Sequence, residues 1–124
     1  MWNLDSDRPI YVQLVEQLQV QIVSGRYQPG QKLPSVRELA AEAAVNPNTM
    51  QKAFAELEGS GLVITQSTNG RTVTEDSGLI QDTRKRMAMK EAELFFLGMK
   101  ELGYTKEEAV ALLKEEGDIS LNRR

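Results

Sequence analysis

Lys32-Leu33-Pro34-Ser35-Val36-Arg37-Glu38-Leu39-Ala40 and, past a break at Ala44-Val45, Asn46-Pro47-Asn48-Thr49-Met50-Gln51-Lys52-Ala53-Phe54 decide the fold. Ser35-Val36-Arg37-Glu38 is a capping box: the serine hydroxyl accepts the Glu38 N–H, and the Glu38 carboxylate reaches back to the Ser35 N–H. It opens a short helix, to about Ala43, whose apolar face is Val36, Leu39 and Ala40, with Arg37 on another face near the start. Asn46-Pro47 then reads as an N-cap followed by the proline favoured at the first helical position. The second helix has its buried stripe at Met50, Ala53, Phe54 and Leu57, spaced i, i+3, i+4, i+7, and Gly59-Ser60-Gly61 ends it.

Working outward, Ile10, Leu14, Leu18 and Ile22 recur four apart between Pro9 and Gly25, which predicts a helix with Pro9 at its first position. Pro29-Gly30 centres a turn in a loop that has room for a short strand. Downstream, Leu62–Gln66 and Arg71–Thr74 are rich in β-branched residues and flank Asn69-Gly70, the pair suited to a two-residue type I′ hairpin turn. The order helix, loop, helix, tight turn, helix, hairpin is that of a winged helix-turn-helix.

Because the stripe of the second short helix faces the core, Asn48, Thr49, Gln51, Lys52 and Ala55 must point outward. Asn and Gln can pair bidentately with adenine, and Thr can bond a base edge or touch a thymine methyl, so this face suits a DNA major groove. Lys32, Arg37 and Arg71 are placed around it to hold phosphates, Arg37 with reach to a base. Two helix N-termini add partial positive charge. Taken singly, each residue has a plainer reading: Asn46, Asn48 and Thr49 as caps, Lys52 as a helix-surface partner of Glu56, and Asn69-Gly70 as a turn.

Composition bounds the alternatives. The chain has 124 residues and a formal charge of -3, so no chain-wide positive field announces a nucleic acid. Residues 1–74 carry 6 basic and 7 acidic side chains, which makes any attraction to phosphate local to a few groups. With no Cys and no His, thiolate chemistry, imidazole metal sites and a Ser-His-Asp triad are excluded, and neither an enzyme nor a metal or cofactor is expected. No apolar run approaches a membrane span and the first residues lack signal-peptide character, so the expected location is the cytoplasm, with no membrane partner.

The second segment reads as a long helix from about Leu79 to Leu102, then a capping box at Thr105–Glu108 and a short helix with Ala109, Leu112 and Leu113 inside. Rows through Ile80, Met87, Leu94, Gly98 and through Ala88, Ala92, Phe95, Met99, Leu102 give more apolar surface than one short helix can cover. A second copy is the expected cover, with Met87, Leu94, Phe95, Gly98, Met99 and Leu102 at the dimer contact. The 46 residues from 79 to 124 leave little room for an effector cavity, so no small-molecule ligand is expected. Arg84-Lys85-Arg86 either grazes DNA backbone or balances nearby acids.

The two opening stretches, with Leu57-Glu58 and Gly61-Leu62-Val63, resemble the DNA-binding domain of GntR-family bacterial transcription regulators across roughly residues 9–74. Asn46-Pro47-Asn48-Thr49 and the short helical C-terminal part are similar to the YtrA subfamily, which implies a dimeric repressor with a two-helix dimerisation module. The resemblance implies that Arg37, in the Pro-Ser-x-Arg-Glu-Leu-Ala motif, contacts DNA, and that Asn48, Thr49 and Gln51 do so from the recognition helix. Many members carry Arg where this chain has Pro47 and Gln51, so their base preference does not transfer. At the wing, Thr68-Asn69-Gly70-Arg71-Thr72-Val73 replaces the usual Gly-x-Gly-Thr-Phe-Val tip, and only Gly70 matches.

The sequence therefore leads to a mainly α fold with a small β-hairpin: a winged helix-turn-helix over residues 1–76, then a helical dimerisation segment over 77–124 with a frayed tail. The expected function is that of a homodimeric repressor on a pseudo-palindromic double-stranded operator. Its DNA-contacting residues would be Lys32, Ser35, Arg37, Asn48, Thr49, Gln51, Lys52, Asn69, Gly70 and Arg71. The rival reading is a winged-helix protein–protein module that binds no DNA.

Overall fold

The computed structural model describes residues 2–66 and 70–115. The elements are α1 (Ile10–Val23), α2 (Val36–Ala43), α3 (Pro47–Ser60), β1 (Val63–Gln66), β2 (Gly70–Val73), α4 (Ser77–Glu101) and α5 (Lys106–Glu115). The chain divides into two compact units, Met1–Arg84 and Lys85–Arg124.

In the first unit α3 is the central element, packed against α1, α2 and β1. Its stripe is buried as the spacing demands: Met50, Ala53 and Phe54 are fully enclosed and Leu57 nearly so, against Leu14, Leu18 and Ile22 of α1 and Leu39 and Ala40 of α2. Each of the Leu, Ile, Met and Phe side chains contributes about 1.5–3 kcal/mol of burial. That packing fixes which face of α3 is left for solvent. The first turns of α4 join the same core through Ile80, with Leu79 packed on it.

The ends of the short helices follow their local chemistry. Ser35 accepts from the Glu38 N–H at 3.1 Å while Glu38 accepts from the Ser35 N–H at 2.9 Å, so the capping box is complete. Ala44, in the left-handed region at φ 57, ends α2 and turns the chain into α3. Asn46 caps α3 by accepting the Asn48 N–H at 2.7 Å, with Pro47 at the first position. Pro9, by contrast, is the N-cap of α1 and not its first helical residue.

The hairpin is antiparallel with Val63 opposite Val73 and Gln66 opposite Gly70. This register departs from the two-residue type I′ turn: Gly70 is not a central turn residue but opens β2, with φ 75. Asn69 itself lies outside the described residues, as do Ser67 and Thr68. Where the loop before α2 had room for a short strand it makes only an isolated bridge: Lys32 pairs with Thr72, and the Leu33 N–H donates to the Arg71 carbonyl at 2.9 Å.

An unforeseen clasp holds the N-terminal segment. Gln13, only 1% exposed, accepts the Asp5 N–H and donates to the Asp5 and Arg8 carbonyls. One turn on, Gln17 makes a matching pair of bonds with the backbone of Asn3.

In the second unit the Thr105–Glu108 capping box forms, and Gly103 makes the turn before it at φ 94. Ala109 is buried, whereas Leu113, expected inside, is 42% exposed. The stop expected at Gly117 and the tail beyond it lie outside the described residues. No helix among the described residues is long and apolar enough to cross a membrane.

Candidate nucleic-acid interface

The exposed side of α3 carries Asn48, Gln51, Lys52 and Ala55, with Thr49 half-buried beside them. Four core residues on the opposite side hold this face in place, so its polar groups are presented by a rigid element. Arg37 stands exposed on the first turn of α2 and makes no hydrogen bond or ion pair among the described residues. Lys32 is also exposed. Its aliphatic stem lies against the start of the wing, with Cε 3.8 Å from where a side chain on Gly70 would begin. Lys32 and Gly70 are thus brought together, although 38 positions separate them in the sequence.

Two cations have partners that the sequence did not disclose. Lys52 does not pair with Glu56; its ammonium sits over the Tyr11 ring of α1, 3.8 Å from the centroid. Arg71 donates from Nε to Glu58 of α3 at 3.2 Å, and its guanidinium lies 5.2 Å from the Phe54 ring. Tyr11 and Glu58 therefore shape the face without having been read as part of it. A signal for Glu58 did exist, since it follows Phe54 by one helical turn and must share its wing-facing side. Tyr11 lies 41 positions from Lys52, and only the packing of α1 on α3 joins them.

The helix N-termini are more closed than their positions suggest. Along the first turn of α3, Pro47 has no N–H, Asn48 bonds the Asn46 side chain, and Thr49 and Met50 bond the Asn46 carbonyl. At α2, Glu38 N–H is taken by Ser35, and the Glu38 carboxyl is held below the usual carboxylate range, chiefly by its bonds to the Ser35 N–H and hydroxyl. A negative charge thus already stands at that terminus, and Ser35 is occupied as its cap. Attraction for a phosphate there rests on Arg37 and Lys32 more than on helix ends.

In the second unit Leu94, Leu97, Met89 and Leu102 are more than half exposed, Phe95 and Gly98 are exposed, and Met87 and Met99 are half-buried. Phe95 meets Phe96 edge-on at 5.2 Å, and Lys106 of α5 lies over the Phe96 ring at 5.6 Å. An open groove of about 790 Å³ runs along this unit, floored by Met89, Ala92, Phe96 and Leu97 and edged by Lys100 and Tyr104.

The family model described as "Bacterial regulatory proteins, gntR family" matches residues 10–73. The uncharacterized HTH-type transcriptional regulator YhcF of Bacillus subtilis is 38% identical over 112 residues, 90% of this chain and 93% of its own length. The HTH-type transcriptional repressor YtrA of the same species is 43% identical over 72 residues, 58% of this chain and 55% of its own length. Among solved structures, a GntR family transcriptional regulator from Listeria monocytogenes superposes with a TM-score of 0.83 at 40% identity, covering 90% of this chain and 98% of that one. The AraR DNA-binding domain in complex with operator ORX1 superposes with a TM-score of 0.56 at 26% identity, covering 60% of this chain and 95% of that one. The chain belongs to the gntR family of bacterial regulatory proteins, with YtrA-like relatives.

Proposed function

We propose that the protein is a sequence-specific DNA-binding transcription regulator, acting in the cytoplasm as a homodimeric repressor on a pseudo-palindromic operator. The observation that carries this reading is the outward face of α3, where Asn48, Thr49 and Gln51 offer amide and hydroxyl groups on a helix anchored by Met50, Ala53, Phe54 and Leu57. These groups are matched to base edges in a major groove. Arg37 and Lys32 supply exposed cations for phosphates, with Lys52 and Arg71 at defined seats beside them. Ser35 and Gly70 complete the edge that faces the duplex, and Asn69 is proposed as a further DNA contact.

Residues 1–76 act as the reader and residues 77–124 as the dimerisation segment. A second copy covers the exposed apolar residues of α4, including Leu94, Phe95 and Leu102, and no effector is required for that contact. Two readers on a two-fold axis contact half-sites about one turn apart, ~34–36 Å. The similarity to YtrA, which is named a repressor, and to an operator-bound AraR domain supports the reading.

Capture of sheared genomic DNA of the source organism by the protein, followed by sequencing, tests it. Enrichment of a few fragments by the wild type, lost in an Asn48→Ala/Gln51→Ala variant, is the expected result. Uniform recovery of fragments, or enrichment unchanged in that variant, would favour a protein–protein module instead.

A further inference from the structure

We propose that Glu58 guards Arg71: it aims the wing guanidinium while cancelling its field, and so sets how strongly the protein holds duplex DNA of any sequence. The proposal rests on the reading that the wing meets DNA. Arg71 sits on β2 opposite Thr65, next to Gly70. Its seat has two walls, the Phe54 ring at 5.2 Å and the Glu58 carboxylate at 3.2 Å, both from α3. The Phe54 wall is fully buried, while the ion pair is partly exposed, at 24% and 26% side-chain exposure.

This arrangement does two opposing things. The bond to Glu58 uses Nε, so the guanidinium is fixed in orientation with its two terminal nitrogens left to serve a second acceptor such as a phosphate oxygen. The same carboxylate places a negative charge within a few ångströms of where that phosphate would come. The paired unit is close to neutral, and such a partly exposed pair gains little by itself. Its larger effect is on what approaches. Among the described residues of the proposed interface, Arg71 is the one ion-paired cation; Lys32 and Arg37 have no such partner there, and Lys52 is set on a neutral ring. The wing thus contributes position without a matching share of sequence-independent attraction, which fits a reader domain whose net charge is slightly negative.

Glu58→Gln separates the two effects, because the amide oxygen still accepts from the Arg71 Nε while the charge is gone. The measurement is fluorescence anisotropy on a labelled duplex of unrelated sequence, across a salt series, for wild type, E58Q, R71A and the double variant, with thermal melts to verify folding. The expected result is that E58Q binds tighter at low salt by about five-fold for each protomer on the duplex, the factor for one charge–charge contact in water. Its log–log salt slope should steepen by about 1.8, from roughly 0.9 for the one more phosphate that each protomer of the dimer neutralises. The steepening should vanish in the R71A background, where E58Q removes a repelling charge but leaves no cation to neutralise a phosphate. Glu58→Ala, which deletes the charge by truncation, serves in place of E58Q if the latter melts early, and should steepen the slope in the same way. Unchanged or weaker binding by E58Q would overturn the proposal, as would equal steepening of the slope with and without Arg71. If R71A itself matches wild type at every salt, the placement of the wing on DNA is what fails; if R71A weakens binding and E58Q leaves it unchanged, only the guard fails.

Discussion

Arg37→Ala separates folding from recognition more cleanly than any other substitution on the proposed interface. The Arg37 side chain is exposed on the first turn of α2 and bonds to nothing among the described residues, so its removal should shift stability by no more than about 0.5 kcal/mol. The capping box that starts α2 is made by Ser35 and Glu38 and stays intact. Binding should change far more. If each protomer loses one phosphate contact, the salt slope of a dimer falls by about 1.8, from roughly 0.9 per phosphate. One contact is worth about 3.5-fold between roughly 50 and 200 mM salt, so two shift the ratio of affinities by about 12-fold across that range. Anisotropy titrations on the selected operator and on an unrelated duplex, with melting curves alongside, supply both quantities. A variant that melts with wild type, binds both duplexes more weakly and shows the shallower slope is the expected result. An unchanged slope would refute the phosphate contact, and a large fall in melting temperature would refute the view of Arg37 as free of structural duty.

Three further outcomes follow from the geometry. Asn46→Ala leaves the Asn48 N–H without its cap and should destabilise the protein by about 1 kcal/mol, read in denaturant midpoints, with weaker operator binding because α3 frays at its reading end. Glu38 has a carboxyl held below its ordinary value by the Ser35 N–H and hydroxyl, so its contribution is present above the unfolded value, about 4.3, and is lost as pH falls through the lower folded value. The gap in melting temperature between wild type and Glu38→Ala should therefore be wider at neutral pH and narrow in acid; a gap that widens in acid would contradict this. Leu94→Glu places a charge on a side chain 57% exposed in the single chain, so helix content should persist while light scattering reports a shift from dimer to monomer.

Much of the reader was legible because its signals are local. The Ser35–Glu38 box, the Asn46-Pro47 start and the Met50–Leu57 stripe each depend on residues within two turns, and each forms as the chemistry of those residues requires. What escaped the sequence depends on chain segments far apart. The seat of Arg71 joins residues 13 apart through a hairpin, and that of Lys52 needs α1 packed on α3. Both cations look like solvated side chains until the tertiary contacts exist. Gln13 is polar within an apolar stripe, and its burial becomes acceptable only because the backbone of Asp5 and Arg8 meets all its bonding groups. The hairpin register was misjudged for a related reason: Asn69-Gly70 suits a two-residue turn, but pairing of β2 with both β1 and the Lys32 segment fixes Gly70 inside the strand.

The central claim, that α3 reads base sequence from a two-fold dimer, is tested most directly by in-vitro selection of wild type and Gln51→Ala from a random duplex pool. The account predicts an inverted repeat with half-sites about 10–10.5 base pairs apart, or a multiple of that, in the wild-type pool. It further predicts that Gln51→Ala relaxes preference at one position of each half-site by about 1–3 kcal/mol while the rest of the motif persists. No enriched motif, or the same motif at the same strength in both pools, would contradict it.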